Sequence, residues 1–176
     1  SYLAIKYGKT IASFNYVTSS NNTVWNATTN SGYNNNIAGI ARDDAGGLYQ
    51  KQSNSCNSGS QVLIGVGGAL ANTNAANTNT LADGQYLMWG DNGSVKSLSV
   101  VISGITGVNY RFASVWKVQN TNTVSVVRVA WPAGITNLKL IQNNTDPTFA
   151  SGNIVTDMSA NTQVVNGVTY NYADVT

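Results

Sequence analysis

From Ser13 to Tyr172 the chain is cut into short runs of β-branched and aromatic residues, and nearly every run ends at Asn, Asp, Gly or Ser. This punctuation is the tightest constraint on the fold, because beyond the first few residues no apolar pattern keeps a 3.6-residue period for the length of an ordinary helix. The candidate strands are Ser13 to Thr18, Thr23 to Asn26, Ile37 to Arg42, Leu48 to Ser53, Gln61 to Val66, Gln85 to Trp89, Ser97 to Ser103, Tyr110 to Val118, Thr123 to Trp131, Asn137 to Gln142, Thr162 to Val165 and Val168 to Tyr172. Short strands at this spacing belong to a sandwich or barrel. The expected class is mainly β, an antiparallel β-sandwich of immunoglobulin-like or jelly-roll-like kind with a short N-terminal helix or docking segment. A chain of 176 residues fits one domain, and at that size folding buries roughly 70% of the unfolded surface. The expected division is a docking segment over 1–12 and a single sandwich over 13–176.

Ser1 to Gly8, SYLAIKYG, reads as a short helix. Tyr2 with Ile5 and Leu3 with Tyr7 are spaced at i,i+3 and i,i+4, and Gly8 stands where a left-handed C-terminal cap belongs. So short a helix needs something to dock on, either the domain's own sheet or a neighbour. Tyr2, Leu3, Ile5 and Tyr7 are the candidate interface residues. Further on, Phe112, Trp116 and Val118 share one face of a run, and Val127, Val129 and Trp131 share one face of the next. Joined by Gln119 to Asn122, the two runs are expected to form a core hairpin. Asn92-Gly93 and Asn166-Gly167 are further hairpin signals, since both residue types tolerate positive φ. Ala71 to Thr80 is a low-complexity polar loop, and the absence of a fixed period argues against a solenoid.

What is missing narrows the chemistry. The chain has no His, its seven acids are all Asp, and only 9% of residues are charged, against about 25% in ordinary soluble domains. Without His there is no Ser-His-Asp or Cys-His nucleophile and no zinc site of the usual kind. A non-enzymatic role is expected. The net charge of +2 comes from scattered Lys and Arg, with no basic stripe for nucleic acid. Solvation falls to neutral polar groups, 25 of them Asn, a composition expected outside the cell or on its surface. The single Cys56 has no internal disulfide partner. No apolar run approaches the ~20 residues of a membrane span. The abrupt start at Ser1 is expected to mark a mature or excised piece of a longer precursor.

Few motifs carry chemistry. Gly8-Lys9-Thr10 copies the end of a phosphate-binding loop, but position 3, where that motif needs Gly, is Leu. Asp43, Asp44 and Asp91 lie in Asx-rich turns and are the candidate ligands for Ca²⁺, a cation that takes oxygens from carboxylates and carbonyls; the competing reading is turn chemistry alone. No other cofactor is expected. Trp89, Trp116 and Trp131 sit in alternating strands as core residues, whereas an exposed row of Trp would suit stacking on sugars. Asn21, Asn26, Asn92 and Asn143 begin N-x-[ST] sequons, which arise by chance in an Asn- and Thr-rich chain.

The blocks SYLAIKYGKT (Ser1 to Thr10), YNNNIAGIARDDAGGLYQKQS (Tyr33 to Ser53), YLMWGDNG (Tyr86 to Gly93), WKV (Trp116 to Val118) and GVTYNYADV (Gly167 to Val175) occur in this order. Together they resemble an uncharacterised β-rich module of large secreted and cell-surface proteins of Bacteroidota-type bacteria, often found after a concanavalin-like, laminin-G-like domain. The resemblance implies export and a non-catalytic role beside other domains, with SYLAIKYG at a junction. The expected function is a structural subunit that associates with copies of itself into a filament or sheath, through the N-terminal segment or an edge strand. The competing expectation is a carbohydrate-binding adhesin module whose partners are glycans.

Overall fold

The computed structural model describes residues 1–176. One helix, α1 (Tyr2–Lys6), precedes fifteen strands: β1 (Tyr16–Val17), β2 (Thr23–Trp25), β3 (Asn35–Asp43), β4 (Leu48–Gln50), β5 (Gln52–Ser53), β6 (Leu63–Val66), β7 (Tyr86–Asp91), β8 (Leu98–Val101), β9 (Tyr110–Phe112), β10 (Trp116–Thr121), β11 (Val127–Pro132), β12 (Lys139–Gln142), β13 (Ile154–Asp157), β14 (Thr162–Val165) and β15 (Val168–Val175). The fold is mainly β, and its pairings are antiparallel. Two sheets make the sandwich, one in the order β10-β7-β3-β4 and one in the order β14-β15-β11-β6-β5.

The period of two decides what lies between them. Ala38 and Ile40 of β3 with Leu87 and Trp89 of β7 face Ile64 and Val66 of β6, Val127 and Trp131 of β11, and Ala173 of β15 in one core. The residues between these on β3 and β7 point the other way: Ile37, Ala41, Tyr86 and Met88 form a second core with Ala4 and Ile5 of α1 and with Tyr16, Val24 and Trp25 of the β1–β2 hairpin. The first sheet is therefore covered on both faces. Its two central strands are buried almost end to end as a result, and each large apolar side chain so placed stabilises the fold by about 1.5–3 kcal/mol.

Every candidate strand overlaps a real one, with Tyr110 to Val118 divided between β9 and β10, but the partners differ from expectation in three places. The run Leu48 to Ser53 is broken at Lys51, where the chain leaves the first sheet as β4 and enters the second as β5. The expected hairpin between Tyr110 to Val118 and Thr123 to Trp131 does not form: β10 pairs with β7, and β11 pairs with β6 and β15. Asn122 and Thr123 both have positive φ, 55° and 54°, and the Asn120 side chain bridges the bend by donating to Val124 O and accepting from Val124 N at 2.9 Å each. That bend carries the chain across the sandwich. The aromatic residues still meet, Trp116 of one layer edge-on to Trp131 of the other, and not across a shared ladder. Asn92-Gly93 likewise turns the chain out towards β8 without closing a hairpin, whereas Asn166-Gly167, with φ of 49° and 79°, joins β14 to β15.

Besides the β1–β2 hairpin, two ribbons lie outside both sheets. β8 pairs with β9, β12 pairs with β13, and β13 has no counterpart among the candidate strands.

Candidate functional site

Of the four candidate interface residues, Ile5 requires a correction. It is 1% exposed and sits in the second core beside Tyr16 and Trp25, so it anchors α1 to its own domain. The segment that follows is stitched down as well. Gly8 O accepts from Cys56 N at 3.0 Å, Lys9 O accepts from the Tyr16 hydroxyl at 2.8 Å, and Thr10 Oγ1 accepts from Ile37 N at 2.9 Å. Burial pushes the Tyr16 phenol up to about 12. Tyr2, Leu3 and Tyr7 remain exposed, and the Lys6 ammonium lies 5.3 Å and 5.7 Å from the Tyr2 and Tyr7 ring centres.

Of the candidate calcium ligands, Asp91 is kept far from Asp43 and Asp44, and each carboxylate has its own partners. Asp43 and Asp91 lie at opposite ends of β3, because Asp91 is in register with Asn35; at ~3.3 Å per residue that is roughly 25 Å. Asp43 is saturated by donors: Ser19 N at 2.7 Å, Ser19 Oγ at 2.6 Å, Gly46 N at 2.9 Å and the Tyr86 hydroxyl at 2.7 Å. The Ser19 hydroxyl foremost, then the Tyr86 hydroxyl and the backbone amides, holds this carboxyl well below the usual range, although burial opposes them. Asp44 forms a two-pronged pair with Arg42 at 2.8 Å and 3.0 Å. Asp91, fully buried, accepts from Asn36 Nδ2 at 2.7 Å and Gly93 N at 2.8 Å and faces Lys96 Nζ at 3.1 Å. No group of three or more His, Cys, Asp or Glu is placed to hold a metal ion.

Trp25, Trp89 and Trp131 are buried. Trp116 is half-buried and closes an aromatic cluster, with Phe112 and Trp131 centres 4.7 Å apart and Trp116 to Trp131 at 5.9 Å. No exposed row of Trp is left for sugars. Exposed apolar side chains occur on α1, at Phe14, Val95, Val118 and Val164, and together on the two ribbons. Phe112 and Leu140 root them in the main core, yet Val101 is 73%, Tyr110 54% and Ile154 59% exposed, with Leu98 and Val155 also open. Arg111 lies 5.5 Å from the Phe149 ring and ties the β9 side to the loop before β13. Sequence reading missed this surface. In the sequence its trace is the apolar run Val100 to Ile102, which reads as a buried strand and gives no sign of exposure.

A second feature that the sequence did not announce is a groove of ≈ 370 Å³ between the end of α1, the β4–β5 switch, the loop at Asn72 and the turn from β14 to β15. Its lining includes one charged residue, Lys6, among amides, hydroxyls and the Tyr7 and Tyr170 rings.

No helix is long and apolar enough to cross a membrane. No curated protein and no solved structure matches the chain. Residues 1–174 match the family model described as a domain of unknown function, DUF8202, and the chain belongs to that family.

Proposed function

We propose that this domain is a non-enzymatic structural subunit of the cell exterior that associates with copies of itself. One observation carries the reading: the β8–β9 and β12–β13 ribbons expose apolar side chains and stand outside the sandwich. A two-stranded ribbon alone is marginal in water and gains stability from a further strand or an apolar cover. A second copy supplies both, through strand addition at the ribbon edges. Where such a contact is head to tail and does not close, it propagates into a filament or sheath. The low charge supports this, since little repulsion opposes the packing of identical subunits. Export to the cell surface rests on the neutral polar composition and on the resemblance to modules of secreted proteins. The contact is assigned to the ribbons; α1 holds Ala4 and Ile5 against its own domain and leaves Tyr2, Leu3 and Tyr7 exposed.

Sedimentation velocity of the native chain and of Val101→Asp/Ile154→Asp across a wide concentration range tests this. Both positions are exposed, so the double variant is expected to keep its melting transition within about 0.5 kcal/mol per site. Its self-association is expected to weaken about a hundredfold, the loss of two buried aliphatic contacts at about 1.5 kcal/mol or more each. A native chain that stays monomeric at its solubility limit, or a double variant that associates as the native chain does, would overturn the proposal.

A further inference from the structure

The geometry points to the groove beside α1 as a binding site for an oligosaccharide. The inference goes beyond self-association and does not rest on it, because none of the groove's lining residues belongs to the two ribbons. Its volume of ≈ 370 Å³ lies within the range of about 300–1,000 Å³ for small-ligand clefts.

The polar groups are fixed and half used. Gln50 donates its amide to Gln52 O at 2.7 Å, which leaves its side-chain carbonyl free to accept. Asn72 accepts from Asn166 N through Oδ1 at 2.8 Å, which leaves its amide nitrogen free to donate. Ser53 is 6% exposed and lines the groove with a hydroxyl that has no partner within the chain. One internal bond thus orients each amide, and the remaining valence faces a ligand at little ordering cost. Free donors and acceptors are mixed in one cleft, which suits a ligand whose hydroxyls both donate and accept. Tyr7 and Tyr170 add amphipathic rings able to pack on the C–H face of a sugar. No carboxylate lines the groove, which disfavours a cation or a basic peptide, and the lone ammonium of Lys6 is too little charge for a polyphosphate.

Side-chain amide NMR and calorimetry with cellohexaose, laminarihexaose, chitohexaose and an oligogalacturonate test the assignment. At least one oligosaccharide is expected to shift the Gln50 and Asn72 side-chain amide resonances in a saturable way. Tyr7→Ala, at an exposed position, is expected to weaken that binding about tenfold through loss of ring contact. Tyr110→Ala on the β9 ribbon is expected to leave it unchanged. Preference for the galacturonate that disappears in Lys6→Ala identifies an acidic sugar; equal binding by that variant identifies a neutral one. If none of the four shifts the groove resonances, or if Tyr110→Ala weakens binding and Tyr7→Ala does not, the assignment is wrong.

Discussion

Asp43→Ala is expected to lower the stability of the domain by about 3–4 kcal/mol, measured as the midpoint shift in urea unfolding. The carboxylate gathers the Ser19 amide and hydroxyl, the Gly46 amide and the Tyr86 hydroxyl around one point. Tyr86 is buried on the face that α1 and the β1–β2 hairpin cover, and its hydroxyl loses its acceptor within the chain when the carboxylate goes. A buried donor left unsatisfied costs about 1–3 kcal/mol, and bonds to a charged acceptor are worth about 1.5–3 kcal/mol each. Asp43→Asn retains the shape but turns one acceptor into a donor that faces donors, and is expected to cost about 2 kcal/mol.

The same site sets an acid limb. Asp43 has a folded pKa depressed below 3.8, so its contribution is complete above that value and is lost as pH falls towards the lower folded one. Stability of the native chain is therefore expected to decline below about pH 4. In Asp43→Asn the decline is expected to be shallower, though not absent. Asp146, brought down to about 2 chiefly by the Thr148 hydroxyl, and Asp157, lowered chiefly by Lys139, titrate in the same direction. An equally steep acid limb in the variant would contradict the role given to Asp43.

Gly8→Ala carries the second large effect, about 3 kcal/mol. Gly8 has φ of +59°, and a Cβ there would lie 2.0 Å from the Asn54 carbonyl oxygen. Left-handed backbone costs an alanine about 1–2 kcal/mol, and the clash is with main chain that cannot rotate away. Relief requires α1 to lift from the Asn54–Cys56 segment, which breaks the bond from Cys56 N to Gly8 O and loosens Ile5 from its core. Gly59→Ala separates the two terms, because Gly59 has φ of +79° with nothing within 4 Å of a new Cβ. It is expected to show the conformational cost of about 1 kcal/mol alone. Equal losses in the two variants would mean that α1 is not held through Gly8.

These residues also mark what the sequence disclosed. Short apolar runs bounded by turn residues, Tyr86 to Trp89 and Ile37 to Arg42, located the central strands, and Gly8 was legible as a cap because a short apolar helix ended at it. Partner choice was not legible. β10 and β11 each carry a clean period of two, and nothing local says that one pairs with β7 and the other with β6 and β15; the deciding bend at Asn122-Thr123 is a pair of left-handed residues without a glycine. Asp43 looked like a cation ligand because its donors lie 24 and 43 residues away at Ser19 and Tyr86. The second layer over β3 and β7 was hidden for a similar reason: Ile5, Tyr16 and Trp25 come from three separate short segments that assemble on the sheet only once it exists. The ribbons were least visible, since Ile154 to Asp157 is four residues long and its mate precedes it by a polar loop.

Amide hydrogen exchange of the native chain at low and high concentration, followed residue by residue, tests the self-association account most directly. If copies join through the ribbons, amides on the outer edges of β8, β9, β12 and β13 exchange freely in dilute solution and become protected as concentration rises. Those of β3 and β7 stay protected at both. Ribbon exchange that does not change with concentration, or new protection confined to α1, would contradict it.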